Sequence, residues 1–382
     1  MMNLRVLGKV EACAFRRRFG ARGASPSSTM ALIGRSQPCS RQDGGQGSGS
    51  AGRSSRAFAS RSSSPVEDPV VSPAWLAENI NDVKILDATW YLPSKKKSGK
   101  EDFGRARIPG ARYFDIDDVA DKSSSLKHML PSSAAFAAAA HALGVKNSDA
   151  VVVYEANGMA FAAARAWWMF RCFGHANVKV LNGGLPAWLE ERESGDPSAF
   201  DLDESEVTPD FVDAGGRASI EAQEGGGAAP GAYEASLNDR LVVSKSEILS
   251  DLSLADKKMF VLDARGKGRF KGSEPEARSG LRSGHIPGSF SMPFASLLED
   301  GGKLKDVQGL LRSEIFVRAL KEGEVDKSIT ATCGSGVTAC MIALAFARVG
   351  RDVAVYDGSW TEWGADPECP LETGLSKSGF RS

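Results

Sequence analysis

No run of eighteen consecutive apolar residues occurs in the 382-residue chain, so no segment reads as a membrane-spanning helix. The six cysteines, Cys13, Cys39, Cys172, Cys333, Cys340 and Cys369, lack the spacing of a disulfide framework and fit a reducing compartment. His128, His141, His175 and His285 make no paired spacing with cysteines or acids, so no metal is assigned. The glycines Gly266, Gly268 and Gly272 do not have the spacing of a dinucleotide loop, and no cofactor is expected. A net charge of −1 hides an asymmetry. Residues 1–65 carry eleven Lys or Arg against Glu11 and Asp43 alone, leaving 36 basic and 46 acidic residues in the remainder. That acidic balance argues against a nucleic-acid partner.

The basic stretch 1–65 is rich in Arg, Ser and Gly, and Phe15-Arg16-Arg17-Arg18 suits a basic amphipathic helix. It has the composition of an organellar transit peptide, with Arg56-Ala57-Phe58 placed for a cut before Ala59. Mitochondrial targeting is expected, with a plastid address or a retained cytoplasmic tail as alternatives.

From residue 70 onward the sequence is written twice. Val83-Lys84-Ile85-Leu86-Asp87-Ala88 and Met259-Phe260-Val261-Leu262-Asp263-Ala264 read as buried strands with the same ending. Arg107-Ile108-Pro109-Gly110 answers His285-Ile286-Pro287-Gly288. From Ile108 to Glu155 is 47 positions, and from Ile286 to Cys333 is also 47. Short apolar strands alternating with helices predict an α/β fold in which each half is a parallel β-sheet flanked by helices on both faces. The halves are expected at 70–194 and 230–382. The Gly-, Asp- and Glu-rich 195–229 between them reads as an acidic, flexible linker.

In this register Glu155-Ala156-Asn157-Gly158 stands where the second half has Cys333-Gly334-Ser335-Gly336-Val337-Thr338. A cysteine between a short strand and a helix, followed by small residues, faces backbone N–H groups and a helix N-terminus that favour the thiolate. A core cysteine beside a Gly-rich turn is the other reading of the isolated loop. Glu155 cannot attack sulfur, so nucleophilic chemistry belongs to the second half and the first is non-catalytic.

With Cys333-Gly-Ser-Gly-Val-Thr-Ala-Cys340, His128-Met129-Leu130-Pro131, Arg165-Ala-Trp167-Trp168, Gly183-Gly184-Leu185-Pro186 and Gly284-His285-Ile286-Pro287, the chain resembles the tandem rhodanese-domain sulfurtransferases. The resemblance implies two rhodanese-like domains and a Cys333 persulfide formed from 3-mercaptopyruvate. Pyruvate is then released, and the sulfur passes to cyanide or to a thiol such as thioredoxin or glutathione. It also implies Arg269 and Arg278 as carboxylate ligands, a task suited to the planar guanidinium. Gly334, Gly336, Val337 and Thr338 are expected to line the substrate site, and Ser335 to hydrogen-bond the keto oxygen or relay a proton.

Thiosulfate is the alternative donor. Thiosulfate-using relatives carry cations just after the cysteine, where this chain has neutral Gly334 and Ser335. One cation about 4 Å away contributes on the order of 4 kcal/mol at an effective dielectric of about 20. A non-catalytic sulfur-carrier or binding module is a further alternative. A cysteine phosphatase would need an arginine six positions after Cys333, where Ala339 stands. In one departure, relatives commonly have a histidine, implicated in a serine proton relay, where this chain has Arg107. Cys340, Trp167, Trp168 and Trp188 read as core, and His285 as structural.

Overall fold

The computed structural model describes residues 67–195, 197–224, 233–324 and 327–375. The leader expected at 1–65 lies outside them, as do Gly225, Gly226 and Gly227. Strands β1 (Val70–Val71), β2 (Val83–Asp87), β3 (Arg112–Tyr113), β4 (Ala150–Tyr154) and β5 (Val178–Leu181) belong to the first half. Strands β6 (Val242–Val243), β7 (Met259–Asp263), β8 (Phe290–Ser291), β9 (Ser328–Thr332) and β10 (Ala354–Tyr356) belong to the second. The two sheets run in the orders β1-β5-β4-β2-β3 and β6-β10-β9-β7-β8, with every pairing parallel. The repeat is therefore a repeat of topology.

Alternation along the strands explains the layering. In β4, Val151 and Val153 join one apolar cluster while Val152 and Tyr154 join another, so both faces of the sheet are covered. In the second half, Phe260, Leu262 and Ala331 join one cluster, and Val261, Ala354 and Tyr356 join the other. The inner clusters of the two halves are one continuous core, in which helix Phe161–Cys172 packs on helix Ala339–Ala347. Trp167, Trp168, Trp188 and Cys340 are buried, as expected. Among the described residues, no helix is long and apolar enough to cross a membrane.

Within the segment 195–229 expected as a flexible linker, the described residues 197–224 carry a helix instead. Thr208 caps a helix over Pro209–Gln223, its side chain accepting the Phe211 N–H. This helix packs against helix Ser133–Ala142. Its glycines serve close packing: a Cβ on Gly215 would lie 3.0 Å from the Leu143 side chain, and one on Gly216 would lie 2.6 Å from that of Asp118. A composition that suggested flexibility is what lets the helix approach.

Arg107 is part of the same attachment. It pairs backbone N–H and C=O with Asp203, and its guanidinium donates to Asp203 Oδ2 at 2.7 Å and Ser205 Oγ at 2.9 Å. The corresponding His285 pairs its backbone with Glu372 in the same way. Its ring stacks on Phe270 at 3.8 Å, as Arg107 lies over Phe103 at 5.3 Å. Both positions tie a half to the segment that follows it. The guanidinium of Arg107 is directed to that segment and makes no hydrogen bond to the 333–338 loop.

Candidate active site

The loop 333–338 leaves the carboxyl end of β9, between that strand and helix Ala339–Ala347, where open parallel sheets place their ligands. Cys333 is buried at its start. The Cys333 N–H donates to Ser359 Oγ at 3.2 Å, and the Cys333 carbonyl accepts the Trp360 N–H at 3.0 Å. Ser359 holds a positive φ of 51°, at a position that is Gly184 in the first half with φ 56°. A non-glycine residue there costs on the order of 1 kcal/mol. In return, its hydroxyl fixes the backbone of Cys333 and donates to the Tyr356 carbonyl at 2.7 Å.

The first half builds the same seat. The Glu155 carbonyl accepts the Leu185 N–H at 2.9 Å, as that of Cys333 accepts Trp360. Gly158 and Gly336 share positive φ, 75° and 77°. What differs is the side chain. Burial pushes the Glu155 carboxyl up from its ordinary 4.5 to about 8, only partly offset by the Ala162 and Ala163 amides and the Asn157 side chain. Asp87, at the end of β2, is likewise pushed by burial from 3.8 to about 6 despite its hydrogen bonds from Thr89.

Both groups keep a proton in the folded chain that the unfolded chain gives up. Stability therefore falls as pH rises, first through the Asp87 window of about 4 to 6 and then through the Glu155 window of about 4.5 to 8. Glu155→Gln keeps the shape and removes the second titration. Its melting temperature is expected to hold level from about pH 6 to 8.5 while that of the unmodified chain falls, a difference on the order of a few kcal/mol in stability. Parallel curves for the two chains would show that Glu155 carries no such load.

Burial pushes the thiols of Cys172, Cys340 and Cys369 up, and Cys340 donates its S–H to the Gly336 carbonyl at 3.1 Å.

The two predicted carboxylate ligands connect to Gly334, Arg269 directly and Arg278 through Thr361. A Cβ on Gly334 would lie 3.2 Å from the terminal nitrogen Nη2 of Arg269. Arg278 Nη1 donates to Thr361 Oγ1 at 2.6 Å, and Thr361 donates from both its hydroxyl (2.6 Å) and its N–H (2.9 Å) to the Gly334 carbonyl. Arg269 comes from the short helix Lys267–Lys271 and is half-buried; its Nε and Nη2 are taken by Glu276.

Glu276 is itself buried and shared, its other oxygen lying 2.6 Å from Arg265 Nη1. Arg265 is paired in turn with Asp263 at the end of β7 and lies over the Trp360 ring at 4.1 Å. Burial would loosen the proton on Arg265, but the charges of Asp263, Glu276 and Cys333 outweigh it and hold it more firmly than usual. A buried chain of alternating charge thus fixes Arg269 with its Nη1 edge turned away from Glu276.

Ser335 is half-exposed, and its hydroxyl makes no hydrogen bond within the described residues. Gly336 and Val337 are buried, and Thr338 is half-buried at the start of the helix. Of the residues singled out in the sequence, Arg269 lies against Gly334, next to Cys333 in the loop, and Arg278 is linked to Gly334 through Thr361. Sequence reading missed Thr361, Ser359, Glu276, Arg265 and Asp357. Asp357, whose carboxylate takes the Leu130 N–H and Arg165 Nη1, had one visible signal, its match in the turn after β10 with Asn182 after β5.

The Rhodanese-like domain family matches the chain twice, at residues 72–191 and 247–366. The mitochondrial thiosulfate/3-mercaptopyruvate sulfurtransferase 1 of Arabidopsis thaliana is 41% identical over 337 residues, 86% of this chain and 84% of the relative. The thiosulfate sulfurtransferase of Bos taurus is 38% identical, over 81% of this chain and 95% of its own. Among solved structures, SseA from Escherichia coli, described as a 3-mercaptopyruvate sulfotransferase of "rhodanese" fold, superposes with a TM-score of 0.59 at 32% identity. That match covers 77% of this chain and 99% of SseA.

Proposed function

Because the chain belongs to the rhodanese family and is a sulfurtransferase of it, we propose that it takes sulfur from 3-mercaptopyruvate through a persulfide on Cys333. Relatives of near-equal identity are named for thiosulfate, for 3-mercaptopyruvate or for both, so overall similarity does not choose the donor. The observation that carries the choice is local. Neutral Gly334 and Ser335 follow the nucleophile, while Arg269 lies against Gly334 and Arg278 is linked to it through Thr361. That arrangement offers guanidinium partners to a carboxylate, while the two residues that follow the cysteine in sequence bring a thiosulfate dianion no charge of their own.

In the proposed reaction the Cys333 thiolate attacks the donor sulfur, an S–S bond forms, and the C–S bond breaks with its electron pair going to carbon. The leaving group is the enolate of pyruvate, which takes a proton at carbon to give pyruvate. In this reading the Ser335 hydroxyl hydrogen-bonds the keto oxygen as it gains charge. A thiolate acceptor then attacks the outer sulfur and returns Cys333 as thiolate. Thioredoxin, glutathione and cyanide all have the required nucleophilicity.

The ratio of kcat/KM for 3-mercaptopyruvate over thiosulfate tests the donor. A ratio well above one is expected, and a preference for thiosulfate overturns the choice. Mitochondrial location is proposed from the basic leader and the mitochondrial plant relative; N-terminal sequencing of the organellar protein should begin near Ala59.

A further inference from the structure

The halves dock through a pseudo-symmetric pair of contacts made by the turns after β5 and β10. After β5, Asn182 accepts the Leu304 N–H at 2.8 Å and donates to the Leu304 carbonyl at 3.1 Å. After β10, Asp357 accepts the Leu130 N–H at 2.7 Å through one oxygen. Its other oxygen takes Arg165 Nη1 at 2.6 Å, in a pair whose side chains are 0% and 5% exposed. At the Asn182 contact the bond is made by a neutral side chain, and the ion pairs that also join the halves, Lys303–Glu190, Arg171–Asp352 and Arg348–Asp68, each keep at least one partly exposed partner. Burying an ion pair costs several kcal/mol per ion before its attraction is recovered, so the Arg165–Asp357 pair calls for a further role.

That role is visible in what else Arg165 reaches. Arg165 arises from helix Phe161–Cys172 of the half that lacks the nucleophile. Its Nη1 lies 3.4 Å from the Gly336 carbonyl, and its Nη2 donates to the carbonyl of His128. His128 holds a positive φ of 63°, and its ring pairs with Asp117 at 3.0 Å. Gly336 is wedged against the pair: a Cβ there would lie 3.1 Å from both Arg165 Nη1 and Asp357 Oδ1. The guanidinium is braced on the Trp168 ring at 4.5 Å. Burial would loosen its proton, but Asp357 reverses this and holds the charge. The loop that starts at Cys333 therefore rests, at Gly336, on a fixed cation from the other half.

We infer that Arg165, held by Asp357, is a positioning residue for the Cys333 loop, so that the half without the nucleophile completes the active site of the half that has it. The inference rests on Cys333 as the nucleophile. It accounts for the asymmetry between Asn182 and Asp357, since only the second half has a reactive loop to hold.

The test is steady-state kinetics of the full chain with 3-mercaptopyruvate and, separately, thiosulfate. Arg165→Gln is expected to lower kcat about 30-fold or more with either donor, with KM changed less than about 3-fold, and Arg165→Lys to recover part of the loss. Asn182→Ala opens the equivalent contact and controls for docking: it lowers the melting temperature but leaves kcat per folded molecule within about 3-fold. Asp357→Asn keeps an acceptor for Leu130 and gives the same loss of kcat even if Arg165→Gln does not fold. An unchanged kcat in Asp357→Asn, or losses equalled by Asn182→Ala, would reduce the pair to a docking contact. Cys333→Ser separates the two levels: residual turnover there overturns the nucleophile, whereas Cys333-dependent turnover with normal kcat in the Arg165 variants overturns only the positioning role.

Discussion

Cys333→Ser is expected to abolish sulfur transfer from either donor, by a factor on the order of 10⁴ or more in kcat, with the melting temperature almost unchanged. A serine hydroxyl is not ionised near neutral pH and cannot hold the transferred sulfur. Folding tolerates the change because the loop is held through the backbone of residue 333, by Ser359 and Trp360, rather than through its sulfur. Activity and a thermal melt measured on the same preparation check both halves of the statement.

The second large effect concerns the donor's carboxylate. Arg269→Ala and Arg278→Ala are each expected to raise KM for 3-mercaptopyruvate and to lower kcat/KM by about 10- to 150-fold, or about 1.5 to 3 kcal/mol for a charged hydrogen bond. The fold should survive both. Glu276 keeps Arg265 when Arg269 is lost, and Thr361 keeps its two donors on the Gly334 carbonyl when Arg278 is lost. Arg269→Lys should rescue poorly, because a point charge cannot keep Nε and Nη2 on Glu276 while presenting a second edge to the donor. Unchanged kinetics in either alanine variant would remove that arginine from the site.

Much of this was legible in one chain because the chain carries its own comparison. The shared Leu-Asp-Ala endings located β2 and β7, and the register identified Glu155 as the counterpart of Cys333, a match that Leu185 and Trp360 repeat in hydrogen bonds. The parts that were not legible depend on contacts between residues far apart in sequence. Nothing near Asp357 indicates that its carboxylate meets Arg165, 192 positions away. Glu276 sits in a polar segment that reads as an exposed loop, yet its side chain is only 1% exposed because two guanidiniums close over it.

The helix within 209–223 was not legible for a related reason. Glycines that loosen an isolated chain are also those that admit a neighbouring helix, and only the Leu143 and Asp118 side chains decide between these. Arg107 illustrates the converse. A departure from the family pattern that seemed to remove a proton relay lies at a position used to fasten residues 203–205.

The central claim is that sulfur is carried on Cys333. Intact-mass spectrometry of the chain after brief exposure to 3-mercaptopyruvate, without acceptor, addresses it directly. One added sulfur, about 32 Da, is expected, mapping to Cys333, discharged by a thiol or cyanide and missing in Cys333→Ser. A chain that turns over donor without this adduct, or that carries it on another cysteine, would contradict the account.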